Sequence, residues 1–522
     1  MLYCNKPFKE STMMNNTAPV NKSVNKSVNN NAKNKPLQLR PRIHSRIENY
    51  LKNEQDILDL VDAFGSPLNL IFPQIIEENI RSFTDIYEKH NLKGRVYFTT
   101  KPNKSNAIIK QATHENVGVD VSSENALKVA MGAGFNASRI ECTGPKNQAY
   151  LTLALQHGVT LNIDNFDELD QILRLRQALY IEGKTKIFVR LAGFTSSRLK
   201  FTSQDSTFGI DVSHINHVFE LLQSHKDHLD FQGFSFHFNA QSSEQKLIAI
   251  ETLLRYTIEA MNLGLKPKGI NIGGGFDICY AEDKNEWHNY VDTLKNSLRT
   301  YDQSLNWNNS GLGFRNEDGI IKGSPNFMSH YVERTGAHDL DYYLSSPLNE
   351  FDGMTFAEIL NDCLFELYVE PGRSLLDQLG VTIARVNFTK TSSHNETLVG
   401  LDMNRSNMHS TNQKLLTDPI IIHKDKDNRI TCPNGLYYIG NLCLSYDMIT
   451  YNKTFPDHIP QEGDLVIFVN TAPYIMDFVE SKTLHQNIAK KIAIVEHNQR
   501  FRWFEDNVYD PTSLKLKESN LA

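Results

Sequence analysis

The sequence predicts an α/β protein in which a (β/α)₈ TIM barrel is joined to an all-β domain. Three observations predict it. Eight short strand-like runs alternate with helical patterns, chemically suggestive residues fall at the ends of those runs, and after Arg373 short β-branched runs follow one another without long helices. Because parallel strands need long crossover connections, alternating strands and helices indicate a parallel sheet, and eight such units indicate a closed barrel.

The predicted barrel strands are short, apolar and rich in β-branched or aromatic residues. They are residues 95–100, 117–121, 139–143, 160–164, 186–191, 233–238, 269–273 and 367–370. The segment after His237 shows helical spacing, since apolar residues recur every three or four positions from Leu247 to Met261. Active sites of such barrels lie at the C-terminal ends of the strands. The residues at those ends are Lys101, Asp120, Gly144, Asp164, His237, Gly273 to Gly275 and Glu370.

The domain boundaries follow from the change of pattern. The barrel is predicted to span residues 74–372, and the β domain residues 41–73 and 373–510, because a strand-like run at 68–72 precedes the barrel and should pair with the later strands. Within the barrel, residues 277–364 are poorly patterned. A connection this long is predicted to be an insertion that folds as a lid or an interface element.

The first 40 residues are predicted to be a disordered tail. They are rich in Asn and Lys, they contain Asn-Lys-Ser-Val twice in succession, and they have too few apolar residues to form a core. The tail lacks the continuous apolar segment of a secretory signal. Its basic, Ser-containing composition leaves a transit peptide as an alternative.

Composition excludes several classes of protein. The 522 residues carry a net charge of -7, which gives no global basic surface for nucleic acid. The six cysteines are scattered without the spacing of a zinc site or a disulfide framework, so a reducing cytoplasm is the expected compartment. No apolar stretch approaches the length of a membrane span. We therefore expect a cytoplasmic protein that binds neither nucleic acid nor membrane.

Four motifs occur in one order along the chain. Lys101 lies in Tyr-Phe-Thr-Thr-Lys-Pro-Asn-Lys-Ser, and it is followed by Gly-Gly-Gly-Phe at 273–276, Glu-Pro-Gly-Arg at 370–373 and Cys-x-x-x-Asp at 443–447. On these motifs, from about residue 64 to about residue 495, the chain resembles the pyridoxal-phosphate-dependent ornithine/diaminopimelate decarboxylase family. This family has the alanine-racemase-like barrel of fold type III. The chain resembles diaminopimelate decarboxylase as a divergent member.

The resemblance implies pyridoxal 5′-phosphate as cofactor and assigns Lys101 as the residue that carries it as a Schiff base. A lysine becomes a good nucleophile when desolvation or nearby positive charge lowers its pKa. Asp120 is a further expected cofactor residue. Glu370 would keep the pyridine nitrogen protonated, so that the ring accepts the electron pair left by a broken bond at the substrate's α-carbon. His237 would stack on the ring.

The phosphate is expected at three kinds of group. Gly273, Gly274 and Gly275 would let backbone N–H groups approach it without an intervening Cβ, and the planar fork of Arg373 suits either phosphate or the orientation of Glu370. Tyr474 corresponds to the family's tyrosine that touches the phosphate.

The substrate is expected at the last motif. The resemblance assigns Cys443 as the acid that returns a proton to the α-carbon, and Asp447 as a group facing the distal end of the substrate. In the family both residues reach the neighbouring subunit's site, which implies a homodimer with shared active sites. Lys101, His237 and Cys443 are thus the expected catalytic residues.

Each residue also has an ordinary structural interpretation. Lys101 could be a solvated lysine at the end of a strand, the three glycines a tight turn, and Glu370 a salt-bridge partner of Arg373. His237 alternates with phenylalanines and could be a satisfied core residue, and Cys443 could be a small buried apolar side chain.

Several positions depart from the family pattern. Leu444 follows the cysteine where the relatives carry an acidic residue, and an apolar group cannot pair with a charged distal end of a substrate. Ser-Thr-Phe-Gly at 206–209 replaces Ser-Lys-Phe-Gly, and Ser-Glu-Asn-Ala at 123–126 replaces Ser-Gly-Gly-Glu. These departures predict a divergent branch that retains the cofactor residues and has its own substrate.

The expected activity is that of a carboxy-lyase, which decarboxylates an amino acid or an amino-acid-derived intermediate with pyridoxal 5′-phosphate. The alternative is an amino-acid racemase or epimerase on the same cofactor. A third interpretation is a non-catalytic paralogue that regulates a decarboxylase through mixed dimers. The expected partners are a small amino-acid substrate and a second copy of the chain.

Overall fold

A computed structural model describes residues 37–196, 201–202, 206–237, 242–300, 305–410 and 414–512. The predicted tail, residues 1–40, therefore lies outside the described residues except for its last four. These four lie against the folded part of the chain: the Leu39 side chain is only 2% exposed, and its backbone N–H donates to Asp418 Oδ2 at 2.7 Å.

The described residues contain twelve α-helices, seven 3-10 turns and twenty-three strands. The helices are α1 (Ser45–Leu51), α2 (Glu54–Phe64), α3 (Ile75–Lys89), α4 (Asn106–Thr113), α5 (Glu124–Gly132), α6 (Gln148–His157), α7 (Phe166–Ala178), α8 (Ile215–Ser224), α9 (Ser243–Asn262), α10 (Lys284–Thr300), α11 (Gly336–Ser345) and α12 (Phe356–Cys363). The 3-10 turns are Ala137–Arg139, Val212–His214, Trp307–Asn309, Asn349–Phe351, Ser374–Leu376, Arg405–Met408 and Thr483–His485.

The strands are β1 (Leu68–Ile71), β2 (Gly94–Thr99), β3 (Gly118–Val121), β4 (Ile140–Cys142), β5 (Thr160–Ile163), β6 (Thr185–Ala192), β7 (Thr195–Ser196), β8 (Phe201–Thr202), β9 (Ile210–Asp211), β10 (Leu229–Ser235), β11 (Gly269–Asn271), β12 (Phe314–Glu317), β13 (Ile320–Gly323), β14 (Glu366–Val369), β15 (Gly380–Thr391), β16 (Thr397–Leu401), β17 (Ile420–Ile422), β18 (Ile430–Thr431), β19 (Leu436–Ile439), β20 (His458–Ile459), β21 (Leu465–Val469), β22 (Lys490–His497) and β23 (Arg500–Glu505).

Eight parallel strands close into a barrel. The strand order is β2, β3, β4, β5, β6, β10, β11 and β14, and β14 returns to pair with β2. These are the eight strands that the sequence predicts, so the predicted barrel is confirmed. The sixth predicted strand extends to Phe238, which lies outside the described residues. Strand β10 ends at Ser235.

The lower part of the barrel is filled by aromatic side chains. Tyr97 of β2, Phe188 of β6 and Tyr368 of β14 form one buried cluster, with ring centroids of Tyr97 and Phe188 at 6.1 Å and 5.1 Å from that of Tyr368. Residues two positions apart in a strand share a face. The next inward layer toward the C-terminal mouth therefore begins at Thr99, Arg190 and Glu370, where polar groups replace the aromatic ones.

The β domain is built from both sides of the barrel in the sequence. Its main sheet has the order β17, β21, β15, β1, β22, β23, in which β1 pairs antiparallel with β15 and parallel with β22. All four residues of β1 are buried. The strand before the barrel thus completes the C-terminal sheet, as the sequence predicts.

Residues 277–364, predicted as one insertion, divide into two parts. Helix α10 packs in a small apolar cluster around Trp287 and Tyr290, which also includes Leu416 of the β domain, and it is followed by the hairpin of β12 and β13. Helices α11 and α12 instead join the main barrel core through residues such as Leu340 and Leu360. The second part therefore supplies barrel helices. No helix of the described residues has both the length and the apolar character needed to span a membrane.

Candidate active site at the barrel mouth

Lys101 lies just beyond the end of β2, in a turn that is fastened on either side. The Asn103 amide donates to the Ala472 carbonyl at 2.9 Å, and the Lys104 N–H donates to Asp477 Oδ2 at 2.9 Å, so the β domain holds this turn. The Lys101 side chain itself is exposed. Its positive charge opposes the burial that raises the pKa of Asp120 and adds to the burial that lowers the pKa of His237, which puts all three groups at the same mouth.

The three glycines after β11 form a tight loop beneath His237 and Glu370. Gly273 and Gly275 have φ values of +63° and +81°, which L side chains rarely adopt. A Cβ at Gly273 would lie 2.4 Å from the Phe236 carbonyl oxygen, and a Cβ at Gly274 would lie 2.7 Å from that of Glu370. Gly273 and Gly274 are buried whereas Gly275 is exposed, so the loop opens toward the mouth at its last residue.

Glu370 ends β14 with a buried carboxylate. Asn271 Nδ2 donates to its Oε1 at 2.7 Å, and His237 Nδ1 lies 3.4 Å from its Oε2. Burial alone would raise the pKa of Glu370, but the hydrogen bond and charge of His237, the charge of Arg190 and the Asn271 amide hold it below its ordinary value. Desolvation lowers the pKa of His237, whose Nδ1 also accepts the Gly274 N–H at 3.4 Å, so at neutral pH we take Arg190 to supply the charge.

A second buried carboxyl group lies beneath Glu370. Glu141 of β4 is fully buried and accepts from Asn162 Nδ2 at 2.8 Å and from Asn271 Nδ2 at 3.2 Å. The Asn271 amide therefore joins Glu141 to Glu370, while its own oxygen accepts the Gly273 N–H at 2.9 Å. Burial, Glu370 and Asp120 together raise the pKa of Glu141, which favours its protonated form beside the ionised Glu370.

Asp120 completes this group of three carboxyl groups. Burial, and then the charge of Glu370, raise its pKa to about 7, although the Thr143 and Thr99 hydroxyls and Lys101 act in the opposite direction. The Thr143 hydroxyl donates to Asp120 Oδ1 at 2.5 Å. Asp120 thus titrates near neutral pH next to Lys101.

Two groups of the site were missed by sequence reasoning. Arg190, near the end of β6, donates from Nη2 to the His237 carbonyl at 3.0 Å, and its Nη1 lies 3.5 Å from Asp164 Oδ1. Glu141 is the other. In both cases the available signal was a charged residue inside an otherwise apolar strand, since a charge is buried only where it has polar partners.

Arg373 and Tyr474 lie together, next to the turn that carries Lys101. Arg373 Nη1 donates to the Tyr280 hydroxyl at 2.6 Å, and the guanidinium carbon lies 5.1 Å from the centroid of the Tyr474 ring. The Tyr474 N–H donates to the Pro102 carbonyl at 3.0 Å, so Tyr474 is also joined to the turn that carries Lys101. A Cβ at Gly372 would lie 3.0 Å from the Tyr474 hydroxyl.

Cys443 and Asp447 lie on the β domain, apart from these groups. Cys443 is exposed. Asp447 is buried, and its two oxygens accept the backbone N–H groups of Arg405 at 2.8 Å and Leu442 at 2.9 Å. Within the described part of the chain, no hydrogen bond or ion pair joins either residue to Lys101, His237 or Glu370. The described residues also hold no group of three or more His, Cys, Asp or Glu side chains suited to a metal ion.

The barrel mouth fits pyridoxal 5′-phosphate. Lys101 offers an amine to its aldehyde, and Glu370 offers an ionised carboxylate to a protonated ring nitrogen. The glycine loop packs so closely against Phe236 and Glu370 that no Cβ fits at Gly273 or Gly274, and the guanidinium of Arg373 lies against Tyr474. The fold and this set of side chains define a barrel-type pyridoxal-phosphate protein.

Comparison with known proteins names the family. Residues 74–308 match the family described as pyridoxal-dependent decarboxylase, pyridoxal binding domain. This match confirms, over these residues, the family resemblance stated from the sequence, and the cofactor of these enzymes is pyridoxal 5′-phosphate.

Relatives with similar sequences cover different shares of the chain. An uncharacterised protein of Sinorhizobium fredii is 26% identical over 444 residues, which is 84% of this chain and 90% of that protein. The diaminopimelate decarboxylase of Bacillus subtilis is 28% identical over 256 residues, 47% of this chain and 58% of that enzyme. The diaminopimelate decarboxylase of Staphylococcus aureus is 23% identical over 427 residues, 80% of this chain and 85% of that enzyme.

Solved structures share the fold at lower identity. The Helicobacter pylori diaminopimelate decarboxylase, complexed with L-lysine, has a TM-score of 0.60 at 17% identity and covers 88% of this chain and 99% of its own. The Selenomonas ruminantium lysine decarboxylase has a TM-score of 0.59 at 15% identity, with 86% of this chain and 97% of its own covered. At these identities the likeness concerns the fold.

Proposed function

We propose that the protein decarboxylates an amino acid or an amino-acid-derived intermediate, with Lys101 and Glu370 at the reacting centre. The observation that carries the proposal is the state of Glu370. Its partners among the described residues are Asn271 and His237, and it forms no ion pair with Arg373, whose guanidinium bonds Tyr280 instead. A buried, ionised carboxylate without a cationic hydrogen-bond partner is suited to hold a proton on an entering ring nitrogen.

The residues then have distinct tasks. When bound, pyridoxal 5′-phosphate supplies an aldehyde that links to amines and a ring that accepts the electron pair of a bond broken at the substrate's α-carbon. Lys101 holds the cofactor through its Nζ. Glu370 would keep a proton on the ring nitrogen, and His237 would pack against the ring.

The phosphate end is held by backbone and side-chain donors. The Gly275 N–H is proposed as the backbone donor, because the N–H groups of Gly273 and Gly274 already bond Asn271 Oδ1 at 2.9 Å and His237 Nδ1 at 3.4 Å. The side chains of Arg373 and Tyr474, which lie together, are proposed as the other donors. Asp120, next to Lys101, accepts or releases a proton near neutral pH, because its pKa is about 7. The amine of Lys101 therefore has a local partner for proton exchange.

Cys443 is proposed to protonate the α-carbon in the site of a second copy of the chain. Two observations support this proposal. Cys443 is exposed on the β domain, and among the described residues no hydrogen bond or ion pair joins it to the groups at the barrel mouth of its own chain. Asp447, by accepting the N–H groups of Arg405 and Leu442, fixes the turn that carries Cys443. The proposed assembly is a homodimer with shared active sites.

The substrate is proposed to differ from diaminopimelate at its distal end. Leu444 lies next to Cys443, and an apolar side chain there cannot compensate a buried charge of the substrate. Relatives named diaminopimelate, arginine and lysine decarboxylases define the range of amino acids to be screened first.

The proposed activity is tested with Lys101→Ala and the matched control Lys104→Ala, which changes an exposed lysine three residues away. Purified wild-type protein and the control should show visible absorbance of bound cofactor, and borohydride reduction should fix a pyridoxyl group on Lys101. Carboxyl-labelled amino acids should release carbon dioxide. Wild-type protein that neither shows this absorbance nor binds added cofactor would contradict the proposal, and loss of optical rotation without carbon dioxide would favour the racemase.

The shared site is tested by mixing two inactive variants, Lys101→Ala and Cys443→Ala. If each site uses one residue from each chain, a mixed dimer has one intact site, and an equimolar mixture should recover about a quarter of wild-type activity. Mixtures that stay inactive although mixed dimers form would show that Cys443 acts in the site of its own chain.

A further inference from the structure

Lys246 is a buried lysine directly behind the glycine loop. It lies in the first turn of α9, its side chain is 2% exposed, and its Nζ donates to the Gly274 carbonyl at 2.7 Å. The Nζ also lies 4.1 Å from the centroid of the Phe276 ring and 5.0 Å from that of Tyr343. An ammonium group is therefore held between two aromatic faces and the backbone of the loop.

The charge of Lys246 is only partly compensated. Among the described residues it forms no ion pair; Asp339 and Asp277 act on it through space. Each of these carboxylates also faces a second cation, because Arg334 lies 3.4 Å from Asp339 and Arg373 acts on Asp277. Burial outweighs both carboxylates and lowers the pKa of Lys246 to about 8. A buried cation of this kind is stabilised by an anion that binds nearby.

The hydrogen bond also sets the direction of a backbone donor. In a trans peptide the C=O and N–H groups point to opposite sides. Since the Gly274 carbonyl points toward Lys246 on the helix side, the Gly275 N–H points away from α9. Gly275 is the exposed residue of the loop, so this N–H faces the open mouth.

We propose that Lys246 is a positioning residue for the cofactor phosphate: it orients the Gly275 N–H toward the phosphate and places a positive charge behind the loop. The inference rests on the proposed phosphate site at Gly273 to Gly275. It adds a residue outside the four motifs, and it predicts that the phosphate and the buried ammonium stabilise each other across one peptide unit.

The experiment uses cofactor-free protein and two probes that cannot link to Lys101. Pyridoxine 5′-phosphate and pyridoxine have an alcohol in place of the aldehyde and differ only in the phosphate. Calorimetric titration gives both affinities for wild type, Lys246→Met and the control Lys268→Met, a lysine that is partly exposed and 3.9 Å from Asp230. Lys246→Met should lower the affinity for pyridoxine 5′-phosphate about 10- to 100-fold and leave the affinity for pyridoxine unchanged, because the charge-assisted contact that is lost involves only the phosphate. Lys268→Met should change neither.

Two outcomes would overturn the inference. One is unchanged affinity of Lys246→Met for pyridoxine 5′-phosphate, and the other is an equal loss for both probes, which would indicate general damage to the site. Failure of the proposed function is a separate result: wild-type protein would then show no preference for the phosphorylated probe.

The pH dependence gives a second measurement that needs no variant to fold. Deprotonation of Lys246 removes its charge, so the wild-type preference for pyridoxine 5′-phosphate over pyridoxine should fall as the pH rises through about 8. The other groups that face Lys246 are Asp277, Asp339, Tyr343, Arg334 and Arg373. None of them is expected to titrate there, because the aspartates ionise at lower pH and burial raises the pKa of Tyr343. A preference that is constant from pH 7 to above pH 9 would contradict the role of the charge.

Discussion

Replacing Glu141 tests the assignment of charge within the barrel. Glu141→Gln keeps one oxygen for the amides of Asn162 and Asn271, 2.8 Å and 3.2 Å away, as a neutral carboxylic acid does. If Glu141 carries a proton, the variant and the wild type should have free energies of unfolding within about 1 kcal/mol at acid pH. Glu141→Leu leaves the buried Asn162 amide without its acceptor, whereas the Asn271 amide still donates to Glu370 at 2.7 Å, so the variant should cost about 1–3 kcal/mol for that one donor.

The pH dependence of this difference has a defined sign. The pKa of Glu141 is raised in the folded protein, so its stabilising contribution is complete below the unfolded-state pKa of about 4.3 and is lost as the pH rises toward the folded value. Above about pH 4.3, the free energy of unfolding of Glu141→Gln should therefore rise relative to that of the wild type, by up to about 1.4 kcal/mol per pH unit.

The assay is denaturant unfolding of cofactor-free protein at several pH values, together with infrared difference spectra. The wild type should show the carbonyl band of a protonated carboxylic acid at neutral pH, and Glu141→Gln should lack it. If Glu141→Gln were several kcal/mol less stable at neutral pH, with a deficit that grew as the pH rose, Glu141 would be ionised and the reasoning would be refuted.

Two further predictions concern other buried groups. Lys146 Nζ lies 2.8 Å from Glu168 Oε1 and both side chains are buried, so Lys146→Met leaves a buried carboxylate without its cation. Denaturant titrations should show that this variant loses about 3–5 kcal/mol of unfolding free energy. A loss below about 1 kcal/mol would contradict this. His330 is buried with a pKa of about 4, so its contribution to stability is complete above about pH 6.5 and falls by up to about 1.4 kcal/mol per pH unit on acidification toward about pH 4. Between pH 7 and pH 5, the unfolding temperature of His330→Gln should fall less steeply than that of the wild type. Identical slopes of unfolding temperature against pH would exclude His330 as the titrating group.

The barrel and the β domain could be predicted because their strands carry local signals. Each barrel strand is a short apolar run between turn residues, and the strand at 68–72 has the same composition as the later ones. The second half of residues 277–364 could not be assigned. Helix α12 has only eight residues and α11 mixes aromatic and charged side chains, so neither shows a long amphipathic repeat, and only contacts with the core identify them as barrel helices.

The chemistry of the mouth was predictable only in part. Lys101, Glu370 and the glycines follow strands directly, so strand order alone brings them to one rim. The positions of Glu141 and Asn271 depend on the layer of the barrel to which each residue contributes, and this register is set by pairing with neighbouring strands, which the local sequence does not show. Lys246 was hidden in another way, since a lysine in the first turn of an amphipathic helix has the pattern of a solvated residue.

The position of β1 has a consequence for how the chain is made. The strand leaves the ribosome early, yet its neighbours β15 and β22 lie more than 300 and more than 400 residues later in the sequence. Its four buried residues therefore remain unpaired while the whole barrel is synthesised. Contacts between residues so far apart in sequence also form slowly. A chain that stops before β22 would present an open apolar edge next to a finished barrel. Premature termination or proteolysis near the C-terminus is thus expected to yield aggregates rather than a functional fragment.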